Sequence, residues 1–259
     1  IGDWSSDVCS SDLFFVSLAV MLALGTITTT YTISAVILRQ VPMWLTDITH
    51  SAMYVPTKFI FRIGMIPACC FMMLVWSAVG TMLKDYGGKV IRTLGIVSCC
   101  FLILSSSVIE GDGTTPWAVH IFGATGYFII SIITHSLVVA HLKYAPENLR
   151  ETLTTKRIVL LLEFIVVLVD SFAGAMHLPK QAGPLCEWTL TFLNMTFLHT
   201  FVHDFLANGV TVNINVSSST MPVYAPELTA SDTVVVDIHP LPLKGAEKDI
   251  GLYALAQKA

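Results

Sequence analysis

Six long apolar stretches constrain this chain more than any other feature of its sequence. A helix needs about 20 consecutive, mainly apolar residues to cross the hydrocarbon core of a bilayer. Six stretches reach that length, at residues 14–38, 59–83, 90–109, 117–141, 158–177 and 185–207. Backbone amides in lipid must be paired within their own segment, so each stretch is predicted to be helical. The sequence therefore predicts an all-α fold, a polytopic membrane protein built as a bundle of six transmembrane helices.

The composition also favours the membrane class. Hydrophobic residues make up 54% of the chain and charged residues only 12%, whereas soluble domains carry about 25% charged residues. The net charge is −4 and no long basic run is present. Nucleic acid is therefore not expected as a partner.

The two ends of the chain differ from the part between them. Residues 3–13 match the translation of a common sequencing adaptor, so residues 1–13 are expected to be foreign to the protein, unstructured and dispensable. The native N-terminus is then expected to be missing. Residues 14–208 form the predicted six-span membrane domain. Residues 209–259 lack long apolar runs and are predicted to form a mostly disordered cytosolic tail.

Basic residues near the ends of the spans predict their orientation. Seven lie beside the loops that follow the second and fourth spans, and four lie beside the other three loops. The seven are Lys84, Lys89, Arg92, Lys143, Arg150, Lys156 and Arg157, and the four are Arg39, Lys58, Arg62 and Lys180. Because the side richer in Lys and Arg is normally cytosolic, both termini are predicted to be cytosolic.

Several polar side chains fall where lipid is expected. In the fifth span Glu163, Asp170 and His177 follow at intervals of seven, which is nearly two helical turns and places them close to one face. Glu163 and Asp170 lie deep in the fifth predicted span, as His135 does in the fourth and Asn194 in the sixth. Such residues are costly in lipid and often mark function. Three interpretations stay open: hydrogen bonds that fix helix register, a lipid-headgroup or catalytic site, and a proton or ion pathway.

The sixth span carries the densest polar set, which comprises Glu187, Asn194, His199, His203 and Asp204. The two histidines are four residues apart and share a face. They could ligate zinc together with a carboxylate, but pairs at this spacing are common by chance, so no metal and no cofactor is predicted. The chain has no G-x-S-x-G elbow, phosphate loop or dinucleotide fingerprint.

Two stretches resemble a known family of membrane proteins. Residues 55–65, VPTKFIFRIGM, are similar to the entry of the second helix in the post-GPI-attachment-to-proteins factor two family, where GPI denotes glycosylphosphatidylinositol. Residues 187–205, EWTLTFLNMTFLHTFVHDF, resemble that family's last helix, with His199 one place later than in the family pattern. The wider group includes the damage-regulated autophagy modulators, whose luminal I-S-D-T-G is matched poorly by LTDIT at residues 45–49.

The resemblance implies a membrane factor in the remodelling of GPI-anchor lipids, at the step that re-acylates the lyso-anchor, in the Golgi or endoplasmic reticulum membrane. It leaves open whether the protein is itself the enzyme. Acyl transfer needs a base beside a hydroxyl group and a stabiliser for the oxyanion. His199 or His203 would then be the base. Glu187 or Asp204 would orient that base.

The same resemblance implies that the partners are a membrane lipid or a GPI-anchored protein. Arg62, together with Lys58, would bind the anchor phosphate, because a guanidinium group can contact phosphate through two hydrogen bonds. The alternative for Arg62 is a side chain that extends from the helix end to the membrane surface.

A second hypothesis belongs to a different class of function. The protein would be a non-enzymatic membrane regulator of autophagy or phosphoinositide signalling, similar to the autophagy modulators, at the lysosome or plasma membrane. A transporter or channel is the third possibility. The secretion of GPI-anchored proteins by cells that lack the protein would separate the first hypothesis from the other two.

Overall fold

The computed structural model describes residues 8–109, 114–145, 147, 150–173, 179, 181–208, 210–217 and 233–240. Only the backbone is described for residues 8–13, 114–116, 173, 211–217 and 233–240. His177 and Lys180 lie outside the described residues. Of the predicted tail, only residues 210–217 and 233–240 are described.

Helices make up most of the described chain. They are α1 (Val8–Tyr31), α2 (Ile48–Ser51), α3 (Thr57–Met82), α4 (Gly88–Ser107), α5 (Thr114–Leu142), α6 (Leu153–Ala173), α7 (Ala182–His199) and α8 (Phe201–Asn208). A π-helical segment, Thr32–Ile37, extends α1. Among the described residues, four segments are long and apolar enough to cross a membrane: Phe14–Ile37, Thr57–Met82, Gly88–Ser107 and Trp117–Leu142. The prediction of a polytopic helical membrane protein is therefore confirmed.

The number of spans stays a prediction. Helices α6 and α7 lie at the predicted fifth and sixth spans, but neither is among the four segments that meet the length and hydropathy requirements. Helix α6 carries two basic and two acidic residues, and α7 is only 18 residues long before the chain continues into α8. Charge in α6 and the polar residues of α7, among them Glu187 and Asn194, thus explain why these two helices are less apolar than the four segments.

Small residues allow three of the helices to approach closely. Helix α4 packs against both α3 and α5. Gly95 of α4 faces the Trp76 ring of α3, and Gly126 of α5 faces the Phe101 ring of α4. A Cβ atom at either glycine would overlap the neighbouring ring. Close backbone approach at small residues is the usual way in which membrane helices gain packing contacts.

Three described elements lie partly or wholly outside the predicted membrane domain. Helix α1 begins at Val8, inside the stretch expected to be unstructured, because a formed helix gains one hydrogen bond for each residue that extends it. In the tail, β1 (Val210–Ser217) pairs antiparallel with β2 (Thr233–Pro240). These strands were not predicted, although VTVNINVS alternates apolar and polar residues, the period of a strand. The all-α description therefore applies to the membrane domain.

Candidate functional site

One end of the bundle, which we call the α2 end, is organised by the connection between α1 and α3. Asp47 precedes α2, and its side chain accepts a hydrogen bond from the backbone N–H of His50 over 3.2 Å. This is the usual role of an Asp at a helix N-cap. The indole N–H of Trp188 on α7 donates to the carbonyl of Thr46 over 2.9 Å. The segment is therefore attached to α7, whose first turns lie beside it.

Glu187 on α7 contacts the same segment. Its Oε2 accepts from the backbone N–H of Ile48 at 3.2 Å, and its Oε1 lies 3.4 Å from the hydroxyl of Thr49. A carboxylate that is half-buried in a helix bundle is costly unless it is hydrogen-bonded. Here α2 supplies the backbone N–H of Ile48 as a donor, so the short helix provides part of the environment that this carboxylate needs.

His120 on α5 completes a row of hydrogen-bonded groups. Its Nε2 lies 3.0 Å from the Thr49 hydroxyl, while its Nδ1 lies 2.8 Å from the carbonyl of Ser105 and 2.9 Å from that of Val108. Carbonyl oxygens only accept, so Nδ1 carries a proton and Nε2 faces Thr49. We call Glu187, Thr49 and His120 the luminal row, after the side of the membrane on which the predicted orientation places it.

The luminal row lines a cavity of about 430 Å³. The polar lining consists of three carboxylates, two histidines and two threonines, with aromatic rings beside them. These residues are Asp47, Asp170, Glu187, His50, His120, Thr49, Thr125, Trp117 and Phe128. Among the described residues, no Lys or Arg side chain lines this cavity. The cavity is therefore acidic and suited to hydroxyl groups more than to a free anion.

A second, narrower cavity of about 50 Å³ adjoins the first. The two share five lining residues, which are Thr49, Ala124, His120, Phe128 and Glu187. Apart from the luminal row, the second cavity is mainly apolar and passes between α1, α3, α4, α5 and α7. Its lining includes Ala23, Ile27, Phe61, Met65, Leu102 and Met195. A polar chamber thus continues into an apolar crevice.

Two predicted deep carboxylates have different surroundings. Asp170 is exposed and lines the polar cavity from α6. Glu163 is fully buried, and its Oε2 lies 2.9 Å from Nδ1 of His135. The His135 ring stacks on Phe197, with 3.7 Å between the ring centroids. Although the sequence places Glu163 and Asp170 on one face, only Asp170 reaches the cavity.

Asn194 lies on α7 and is buried. Its Nδ2 donates to the backbone carbonyl of Leu190 over 3.1 Å, and its Oδ1 has no hydrogen-bond partner among the described residues. It lines a very small cavity with His135 and Tyr127. The side chain therefore belongs to the middle of the bundle and is not part of the luminal row.

Asp204 belongs to a different site, near the start of the tail. Its Oδ2 lies 2.6 Å from Nζ of Lys156 and its Oδ1 accepts from the Thr152 hydroxyl over 2.6 Å. Lys156 and Asp204 are both fully buried, and the Lys156 ammonium lies 4.4 Å from the centroid of the Phe201 ring. Burial lowers the pKa of Lys156, which lies just before the predicted fifth span, and the Asp204 carboxylate opposes that shift.

The structure does not bring the four predicted catalytic residues together. Asp204 lies 17 residues after Glu187, about 25 Å along an ideal helix. His199 at the end of α7 and His203 on α8 are both exposed. Neither lines the cavity that contains Glu187. Glu187 is therefore the one member of that predicted set that the cavity contains.

The predicted phosphate-binding residues lie on the first two turns of α3. Lys58 and Arg62 are one helical turn apart and are both half-buried. Neither side chain lines the polar cavity or the crevice. Phe61 of the same turn does line the crevice, so the two basic residues lie close to it on α3.

Sequence reasoning missed three residues that the structure makes important. Thr49 lies in the LTDIT stretch, which was compared only with a family pattern that it matches poorly. His120, near the start of the fourth predicted span, was not among the predicted site residues, and only 4% of it is exposed. Lys156 was counted as a loop charge. For Thr49 a signal was available in the sequence. Asp47 followed three residues later by His50 predicts an N-cap and a short helix that contains Thr49.

No cluster of three or more His, Cys, Asp or Glu side chains that could hold a metal ion occurs among the described residues. The chemistry available at the luminal row is that of hydroxyl, imidazole and carboxylate groups.

These features define a class: a polytopic helical membrane protein with an acidic cavity at one end of its bundle and an apolar crevice leading from it. Residues 12–207 match the Frag1/DRAM/Sfk1/Cwh43P N-terminal domain, so this chain belongs to the Frag1/DRAM/Sfk1/Cwh43P N-terminal domain family. The predicted relationship to the wider group is confirmed. No curated protein and no solved structure is similar enough to this chain to count as a match.

Proposed function

We propose that this protein is a membrane factor in GPI-anchor lipid remodelling, acting where the lyso-anchor is re-acylated in the Golgi or endoplasmic reticulum membrane. The observation that carries the proposal is the junction of the two cavities at Glu187. A lyso-lipid has a hydroxyl-bearing headgroup and an apolar chain. The acidic cavity of about 430 Å³ suits the first, and the apolar crevice suits part of the second.

The two stretches that resemble the factor two family support this proposal because they line one cavity. Phe61 and Met65 come from the stretch at residues 55–65. Glu187, Thr191 and Met195 come from the stretch at residues 187–205. These stretches are more than one hundred residues apart in sequence, and residues of both line the same crevice.

The proposal assigns the anchor phosphate to the basic residues of α3. The acidic lining disfavours a phosphate inside the main cavity through repulsion between like charges. Lys58 and Arg62 lie on the turns of α3 that flank the crevice. A lipid whose glycerol region enters at the luminal row would then have its phosphate outside the acidic chamber, beside these side chains.

Disruption of the gene tests the proposal. Cells without the protein should release GPI-anchored proteins into the medium, because a lyso-anchor with a single chain binds membranes only marginally. Re-expression of the intact chain should return those proteins to the cell surface. Unchanged surface levels in disrupted cells would contradict the proposal. A change in autophagic flux or phosphoinositide levels in the same cells would support the non-enzymatic regulator instead.

A further inference from the structure

His120 is held in one orientation and one tautomer. The carbonyl oxygens of Ser105 and Val108 lie 2.8 and 2.9 Å from Nδ1, and they fix the proton on that nitrogen. The unprotonated Nε2 then faces the hydroxyl of Thr49 at 3.0 Å. A histidine whose second nitrogen is fixed by an acceptor is prepared to receive a proton at the first.

Thr49 connects His120 to the cavity. Its hydroxyl has one proton and two lone pairs. When the proton is donated to His120, the oxygen can still accept a hydrogen bond from a group in the cavity that Thr49 lines. Glu187 Oε1 lies 3.4 Å from the same oxygen. A positive charge on His120 would therefore face a carboxylate across one hydroxyl group.

We propose that His120 is the proton acceptor for acyl transfer and that Thr49 relays the proton to it from the hydroxyl group of the accepting lipid. This inference rests on the proposed function and names the residues that would perform it. Glu187 stabilises the imidazolium that forms, as an acidic partner does for a histidine base.

The transfer is balanced without oxidation or reduction. The hydroxyl oxygen of the acceptor bonds to the carbonyl carbon of an acyl ester, and its proton passes to Thr49 while Thr49 gives its own proton to His120. The bond between that carbonyl carbon and the departing alcohol of the acyl ester then breaks. The departing oxygen receives the proton from His120 by the reverse route.

A purely structural role is the competing account of His120, because its Nδ1 also binds carbonyls at the end of α4.

The experiment separates the relay from a structural role in gene-disrupted cells that express each variant at equal abundance. Mass spectrometry measures the fraction of GPI anchors that remain in the lyso form. A photoactivatable lysophosphatidylinositol, added to the same cells, measures lipid binding by crosslinking. His120→Gln keeps a hydrogen-bonding side chain without a basic nitrogen, and Thr49→Val replaces the hydroxyl with a methyl group of similar size.

Both variants should leave lyso-anchors at the level of the disrupted cells while crosslinking stays within twofold of the intact protein. Thr49→Ser should recover most of the transfer because it restores the hydroxyl. The matched controls are His141→Gln at the other end of α5 and Thr196→Val on an exposed face of α7, and both should behave as the intact protein does.

Full transfer by either His120→Gln or Thr49→Val would overturn the relay. Loss of crosslinking together with transfer would also overturn it, since the row would then bind or support structure only. If His120→Gln does not accumulate, Thr49→Val and Thr49→Ser still test the relay. Equal transfer by these two variants would overturn it. Failure of the intact protein to lower the lyso-anchor fraction would instead overturn the proposed function itself, and the relay with it.

Discussion

At the residue scale, the Lys156–Asp204 pair is expected to hold α6 against α8. Both side chains are fully buried and their charged atoms are 2.6 Å apart. Removing one partner of a buried ion pair costs about 3–5 kcal/mol, because the other charge is left without compensation. Asp204→Asn should therefore lower the free energy of unfolding by that amount, measured by thermal unfolding in detergent.

Two further variants sharpen this prediction. The double change Lys156→Met with Asp204→Leu should recover most of the lost stability, because apolar residues of similar volume avoid the cost of burying charge. Glu151→Gln, at an exposed position before α6, should leave unfolding unchanged. An Asp204→Asn protein that is as stable as the parent would contradict the structural assignment of this carboxylate.

The His135–Glu163 pair permits a second prediction at the same scale. Glu163→Leu leaves the buried Nδ1 of His135 without its acceptor, which should cost about 1–3 kcal/mol. Glu163→Gln should cost less because its amide oxygen still accepts. Denaturation in detergent would measure both. If the two variants were equally unstable, the hydrogen bond seen at 2.9 Å would not be what stabilises this part of the bundle.

At the scale of the elements, close packing between α3 and α4 depends on a missing side chain. A Cβ atom at Gly95 would overlap the Trp76 ring, and inserting atoms into a packed interior costs about 1–3 kcal/mol. Gly95→Ala should lower stability accordingly. Gly25→Ala on α1 is the matched control, because nothing lies within 4 Å of its added Cβ and Ala favours helix more than Gly does. Equal melting temperatures for the two variants would refute the close approach.

The elements also show what could be predicted from sequence and why. The helices were predictable because the apolar spans need backbone pairing within each segment, and Phe14–Ile37 and Trp117–Leu142 agree with predicted spans within a few residues. The luminal row was not predictable as a unit. Thr49, His120 and Glu187 come from three separate segments, and only packing decides that they meet. Periodicity along one helix gives the face of a residue, but it does not give the residue on the neighbouring helix that it contacts.

At the scale of the whole molecule, the predicted orientation places the luminal row opposite the cytosol. Trp44 in the α1–α3 connection and Tyr144 after α5 are 78% and 74% exposed. In sealed microsomes, a membrane-impermeant maleimide should label Tyr144→Cys directly and Trp44→Cys only after the membrane is permeabilised. The unsubstituted chain serves as the control for its own cysteines. Labelling of Trp44→Cys in intact vesicles would mean that the bundle has the opposite orientation.

The central claim is that the cavity at Glu187 acts on the lipid of GPI anchors. The most direct test is the lipid composition of all GPI anchors, taken from both cells and medium, in gene-disrupted cells that express either Glu187→Gln or the control Glu151→Gln at equal abundance. The account predicts that anchors from the Glu187→Gln cells stay in the lyso form, while Glu151→Gln restores anchors with two chains. Fully re-acylated anchors in the Glu187→Gln cells would contradict it.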